Sequence, residues 1–367
     1  MFAIGIAGAL VYGSSRWQVQ TQESRAKLEA GRLPATSATY DAREIESLPP
    51  PVRRYFHAVL QEGQPIVSGV RLSQEGQFRL DDSWRPFKAT QAITTHPPGF
   101  DWDARIKMAP GIHVFVRDAY TAGVGRLHAA LLGLVTVADL SGTPELASGE
   151  LLRYLAEAAW YPTALLPSQG VHWDAIDDST ARATLVDGAT MASLEFHFDK
   201  EGLIAAAWAP VRYRTVNGAL QPTPWQGRFS AYAPRGGMRI PLEGEVEWQL
   251  PTGPLPYWRG RITEIAYELA GQLRLHSLQG LLPHPSQVPI SQAAICRRCP
   301  ASRIDGDQDT RRWSYRRSQV YGSCIPPRLL IARGPSHASP ALAPRLEKRK
   351  SSPQSEKPRT WGRWPLR

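Results

Sequence analysis

The sequence predicts an α+β fold that is mainly β: a large curved antiparallel sheet, a half-barrel of ten to twelve strands, with helices packed on one side. Three observations carry this. From Val70 to Leu269 apolar and polar residues alternate in run after run with a period of two. Turn signals rich in Gly, Pro, Asn and Asp separate the runs at short intervals. A single long helical pattern, from Ser141 to Pro167, interrupts the series.

In order, Met1 to Tyr12 is apolar and is followed by Ser-Ser-Arg. It is shorter than the roughly 20 residues of a membrane span, and no basic segment precedes it as in a signal peptide. The expectation over residues 1–17 is the second half of a hydrophobic anchor that begins upstream; the alternative is a short disordered N-terminus. Residues 18–40 are polar and read as a linker or an extended helix. Asp41 opens a short helix that the prolines at 49–51 stop. A second helix runs from Pro51 to about Gln61, with Val52, Tyr55, Phe56, Val59 and Leu60 forming an amphipathic stripe.

The strands begin at Val70, resume at Phe78 and continue with Trp84–Thr95. Phe100–Met108 is the cleanest, with Phe100, Trp102, Ala104, Ile106 and Met108 on one face and Asp101, Asp103, Arg105 and Lys107 on the other. Ile112–Val116 returns after Pro110-Gly111. Leu127–Asp139 is almost continuously apolar and reads as one strand buried on both faces.

In the central helix Thr143 reads as the N-cap and Pro144 as the first helical residue. Leu151, Leu152, Leu155 and Ala159 form an apolar face; Glu150, Arg153 and Glu157 are spaced for charge pairs on the other. The helix ends before Pro162, and the exit, Trp160 to Pro167, is very apolar for a connection. Val171–Ile176, Ala181–Val186, Met191–Phe198, Leu203–Trp208, Val211–Val216, Pro224–Tyr232, Met238–Leu250 and Trp258–Leu269 follow. Asn217-Gly218 predicts a tight hairpin, and Pro241 an edge or a bulge.

Residues 41–270 thus form a helix-capped β domain. Beyond it the alternation stops, and residues 271–367 read as a disordered basic tail. The tail holds 18 Lys+Arg against 5 Asp+Glu, whereas residues 1–270 hold 25 against 28, so the net charge of +10 belongs to the tail. Its Arg/Pro/Ser-rich composition also fits a reading frame shifted near residue 270. All three cysteines lie there, Cys296, Cys299 and Cys324, without the second close pair of a zinc site. The cysteine-free domain leaves the compartment open, the cytoplasm included.

No motif fixes an activity. Gly123-Val124-Gly125 lacks the third glycine and the helix of a dinucleotide fingerprint. Asp101 and Asp103 share a strand face with Arg105 and Lys107, and the plain expectation is a solvated, charge-balanced surface. Neither a cofactor nor a metal ligand set is expected, and no specific nucleic-acid partner.

The runs PPPVRRYFHAVL (49–60), PPGFDWDARIKMAPG (97–111), GRLHAALLGLVTVADLSGTPELASGELLRYLAEAAWYPTALLP (125–167), TPWQGRFSAY (223–232) and YWRGRITEIAYEL (257–269) resemble a bacterial family of unknown function over about residues 41–269. That resemblance brings no activity with it. The strand number and helix placement also resemble, at the level of fold, the LolA-like lipoprotein-carrier half-barrel, which implies an apolar cavity under a helical lid.

The expected function is an envelope-associated binding protein for a lipid-like or other apolar ligand, membrane-associated through the N-terminal segment. The expected lining is Trp102, Trp160, Tyr161, Leu165 and Trp225, aromatic and aliphatic groups with few polar handles. The alternatives are a hydrolase using Asp101, Asp103 or Glu157, and a structural or interaction domain without catalysis.

Overall fold

The computed structural model of the chain describes residues 2–80, 82–216 and 219–271. The basic tail from residue 272 on, with its cysteines and the expected shift of frame, and the Asn217-Gly218 turn lie outside the described residues.

Helix α1 (Phe2–Ala30) comes first, then a 3-10 turn (Ala42–Ile45) and helix α2 (Pro50–Val59). Six strands follow: β1 (Val67–Leu80), β2 (Ser83–Thr94), β3 (Gly99–Ala109), β4 (Ile112–Thr121), β5 (Val124–Leu131) and β6 (Val135–Ser141). Helix α3 (Pro144–Glu157) and three 3-10 turns (Ala158–Trp160, Pro162–Leu165, Pro167–Gln169) then lead to β7 (His172–Ala175). The remaining strands are β8 (Thr180–Asp187), β9 (Thr190–Phe198), β10 (Ile204–Val216), β11 (Ala219–Arg235), β12 (Met238–Leu250) and β13 (Gly253–Leu269).

All thirteen strands join one antiparallel sheet in the order β6-β5-β4-β3-β2-β1-β13-β12-β11-β10-β9-β8-β7. The chain runs out along one wing, crosses back through α3, and returns along the other until β13 pairs with β1. The sheet curls, because α3 touches β3, β4 and β5 on one wing and β9 and β10 on the other. The Tyr120 hydroxyl also donates to Asp187 across the wings at 2.7 Å. Where β1 meets β13, Gly76 and Gly260 sit side by side. A Cβ on Gly260 would stand 2.7 Å from the Trp258 ring, and one on Gly76 2.9 Å from Phe87, so these rings pack where side chains are missing.

The concave face carries the core. Phe100, Trp102, Ala104 and Ile106 of β3 are buried there, as the alternation predicts. α2 covers one end with its Val52, Tyr55, Phe56 and Val59 stripe. The 3-10 turns close the same end: Val67 N–H donates to the Thr163 hydroxyl at 3.0 Å, and the Tyr267 hydroxyl to the Trp160 carbonyl at 2.7 Å. Thr143 caps α3 by accepting from the Leu146 N–H, as its position before proline predicts.

Four expectations change. The strands number thirteen, because β5 and β6 are a hairpin: Leu132 (φ 56°) and Gly133 (φ 70°) turn the run read as one strand. β6 is an edge strand with Val135 and Val137 exposed, not a strand buried on both faces. Pro241 is not at an edge; β12 is central, and its ladder with β11 is interrupted beside Pro241, at Ala231 (φ 57°). Finally, helices do not keep to one side. Residues 18–30 continue the helix that begins at Phe2, and α1 lies across the outer face of the sheet.

That last contact explains the aspartate pair. Asp101 and Asp103 are covered by α1 instead of facing solvent. Asp101, fully buried, takes Arg25 at 3.0 Å and Arg117 at 3.4 Å. Burial pushes its carboxyl up against the pull of the Ser24 hydroxyl and the two arginines. Asp103 accepts from Trp17 Nε1 and the Thr21 hydroxyl, each at 2.9 Å. Trp17 itself is buried, edge-on to Phe115 and stacked on His128.

Candidate functional site

The charged face of α3 points into the sheet. Arg153 pairs with Asp118 of β4 and with Glu157 one turn on, both at 2.8 Å, and its guanidinium lies over the rings of Phe100 and Trp102. Gln91 of β2 donates to Glu157 at 2.6 Å. Trp102 Nε1 donates to Gln74 of β1 at 2.9 Å. Glu150 is 3% exposed, and its Oε2 makes no hydrogen bond among the described residues. The middle of the half-barrel is therefore a polar layer between α3 and the sheet.

Burial pushes the Glu150 carboxyl up to about 8, and Asp118 nearby pushes the same way, while Arg212 and Arg153 pull it down. Asp118 is raised as well, first by burial and against Arg153. Between the ordinary value of 4.5 and about 8 the folded chain keeps a proton that the unfolded chain has lost. Folding then takes up a proton, so stability falls by about 1.4 kcal/mol for each pH unit in that window. A Glu150→Gln variant has no such proton to lose. Denaturation from pH 5 to pH 8 should show the wild type weakening relative to the variant at roughly that slope; parallel profiles would contradict it.

Past this layer, at the end away from α2, the concave face changes character. Phe78, Leu80, Met108, Val246, Trp248 and Tyr257 are only partly buried there. Trp248 stacks on Tyr257 with ring centres 5.4 Å apart, and Phe78 stands edge-on to Tyr257 at 6.0 Å. Trp225, opposite Trp248 in the ladder, donates to the Tyr257 hydroxyl at 2.9 Å. Arg212 of β10 donates to the same oxygen at 3.1 Å. This apolar mouth lies beside the tips of the β1–β2, β3–β4 and β12–β13 hairpins.

α1 leads to the same end. Its C-terminal part meets the covered end, where Arg32 pairs with Glu268. Toward the N-terminus it meets Asp101, Asp103 and then the β5–β6 turn. There a Cβ on Gly13 would stand 2.7 Å from the Leu134 side chain. Residues 2–12 continue past that turn, and Leu10, Val11 and Tyr12 are exposed. No helix among the described residues is long and apolar enough to cross a membrane.

The five residues expected to line a pocket all belong to the buried core. Trp102, Trp160, Tyr161 and Leu165 are packed between α3, its exit and the sheet. Tyr161 donates to the Tyr154 carbonyl at 3.1 Å, while Trp160 Nε1 has no hydrogen-bond partner among the described residues. Only Trp225 borders the mouth. Sequence reasoning does not bring Phe78, Trp248, Tyr257 and Arg212 together, because their meeting depends on four separate strands. Among the described residues no group of His, Cys, Asp and Glu is arranged to hold a metal. Among the described residues no histidine hydrogen-bonds or ion-pairs with Glu150, Asp118 or Glu157. A separate trough of about 1130 Å³ runs along the outer face between charged side chains such as Lys88, Arg105, Arg228 and Arg261.

The model of a family of unknown function, DUF6920, matches residues 46–267. No curated protein matches the chain. Among solved structures, a DUF1329 family protein from Desulfovibrio piger is similar at 10% identity and a TM-score of 0.32, over 55% of this chain and 86% of its own. A LolA superfamily protein from Nitrosomonas europaea is similar at 11% identity, a TM-score of 0.32 and the same two coverages. Likeness at that level leaves the fold to be read from the chain's own ladder.

Proposed function

The chain belongs to the DUF6920 family of unknown function, and we propose that it is an envelope-associated, non-catalytic binding protein for a lipid-like or other apolar ligand. The ligand enters the mouth of the half-barrel and lies along Phe78, Trp248 and Tyr257, with Trp225 at its inner side. α3 and the polar layer form the floor. Trp102, Trp160, Tyr161 and Leu165 stand behind that floor and give it shape.

The observation that carries this reading is the partly exposed aromatic strip on the concave face. Apolar side chains left half-covered in a concavity mark a place for an apolar partner. The membrane part of the proposal rests on geometry: α1 brings exposed Leu10, Val11 and Tyr12 to the end where the mouth opens. An apolar helical end at that place would lie in the interfacial region of a bilayer and hold the mouth toward it.

The test is saturable uptake of a fluorescent fatty acid by the full chain, compared with a Phe78→Glu variant. Phe78 is only partly buried, so the variant should fold, checked by circular dichroism. A carboxylate in the middle of the strip should weaken uptake at least tenfold. Equal uptake by the two proteins, or none by the wild type, would contradict the proposal.

A further inference from the structure

Among the arginines turned toward the sheet, Arg85 of β2 and Arg212 of β10 lack a carboxylate partner among the described residues: Arg85 donates to the Met108 carbonyl at 3.3 Å, and Arg212 lies among the aromatic rings. Arg25 and Arg117 have Asp101, Arg32 has Glu268, and Arg153 has Asp118 and Glu157. Arg212 has no carboxylate within 4 Å among the described residues; its one hydrogen bond goes to the Tyr257 hydroxyl. Its guanidinium lies 5.4 Å from the centre of the Trp225 ring and 5.9 Å from that of Trp248. The β10–β11 register shifts between Ala209 and Arg212, and such a bulge re-aims the side chain that follows it. The chain thus places a partly buried cation, with no carboxylate in ion-pair contact among the described residues, at the inner edge of an apolar mouth. Leaving a guanidinium there unpaired is costly unless something anionic completes it.

We infer that Arg212 is the head-group anchor of the mouth, and that the ligand is a single-headed anionic amphiphile whose carboxylate or phosphate pairs with the guanidinium while its chain lies along Trp248, Tyr257 and Phe78. This rests on the binding function proposed above and narrows its ligand. A guanidinium suits such a head, since it presents a planar fork of donors that a carboxylate or phosphate meets with two oxygens. The aromatic faces beside it hold the cation without neutralising it.

The groups facing Arg212 fit this role. Asp118 and Glu157 pair with Arg153, and Arg212 attracts Asp118 from beyond ion-pair distance. Glu150, on the α3 turn facing Arg212, makes no ion pair with it among the described residues, and burial pushes its carboxyl toward the neutral form. As pH rises through about 8, Glu150 ionises and competes for Arg212. Anion binding should therefore weaken in that range in the wild type and keep its strength in Glu150→Gln.

The experiment measures binding of oleic acid, oleyl phosphate and oleyl alcohol to the full chain and to Arg212→Gln at pH 7. The wild type should bind the two anions at least tenfold tighter than the alcohol. Arg212→Gln should lose that preference and keep its affinity for the alcohol. The stronger binder among oleic acid and oleyl phosphate identifies the head as carboxylate or phosphate. Equal binding of all three by the wild type, with no effect of Arg212→Gln, would overturn the anchor and leave the binding function standing. Binding of none would overturn both. Inorganic phosphate alone should not displace the acid; if it does, the site takes a small anion and the amphiphile is overturned.

Discussion

Arg153→Met should destabilise the domain by about 3–5 kcal/mol, the usual cost of removing one partner from a buried ion network. Among the described residues Arg153 is the only cation in ion-pair contact with Asp118 and Glu157, and both are largely covered. Methionine keeps most of the side-chain volume, so the loss is electrostatic and not a cavity. The effect has a pH signature. Without the guanidinium the Asp118 carboxyl would hold its proton to higher pH in the folded state. The deficit should be full at neutral and alkaline pH and should shrink in acid, as that carboxyl is neutralised. Denaturant titration at pH 7 and pH 4 checks this; an equal loss at both would mean that Arg153 acts by packing.

Trp17→Ala should cost a similar amount, about 3–5 kcal/mol for a fully buried tryptophan. Several contacts go at once: the hydrogen bond to Asp103, the stack on His128, the edge contact with Phe115 and the Arg105 and Arg117 guanidinium groups over the ring. Those contacts are made by α1, so the loss should be felt first as release of that helix. Asp101 and Arg117 would then meet water. Limited proteolysis should cut the variant within residues 14–30 while the sheet survives, and hydrogen exchange should rise over α1. Retained protection there would show that α1 is held mainly by Arg25 and Arg32.

These two sites also mark where sequence reading succeeds and where it stops. The alternation in Phe100–Met108 assigns each side chain of β3 to its face, because a strand has a strict period of two. It does not say what covers the second face. α1 docks there through Trp17, Thr21 and Arg25, a stripe more polar than apolar, which carries no amphipathic signal. The same limit applies to α3. Its cap and its two faces are legible, but a charged face reads as solvated unless the strands that enclose it are known. Glu150, Arg153 and Glu157 meet Gln91 and Asp118 only because the sheet curls. The β5–β6 turn was hidden by one glycine within an apolar run. The mouth was out of reach, because Phe78, Arg212, Trp225, Trp248 and Tyr257 come from β1, β10, β11, β12 and β13 and are joined by the β1–β13 pairing.

The central claim is that the half-barrel carries an apolar ligand, and native mass spectrometry of the full chain, purified gently from its own host, tests it most directly. The full chain is needed because α1 covers Asp101 and leads to the mouth. The account predicts an added mass that organic solvent releases and whose fragments contain an acyl or similar chain. A bare mass, from protein that also fails to take up added fatty acids, would contradict it and leave the aromatic strip as a surface for another partner.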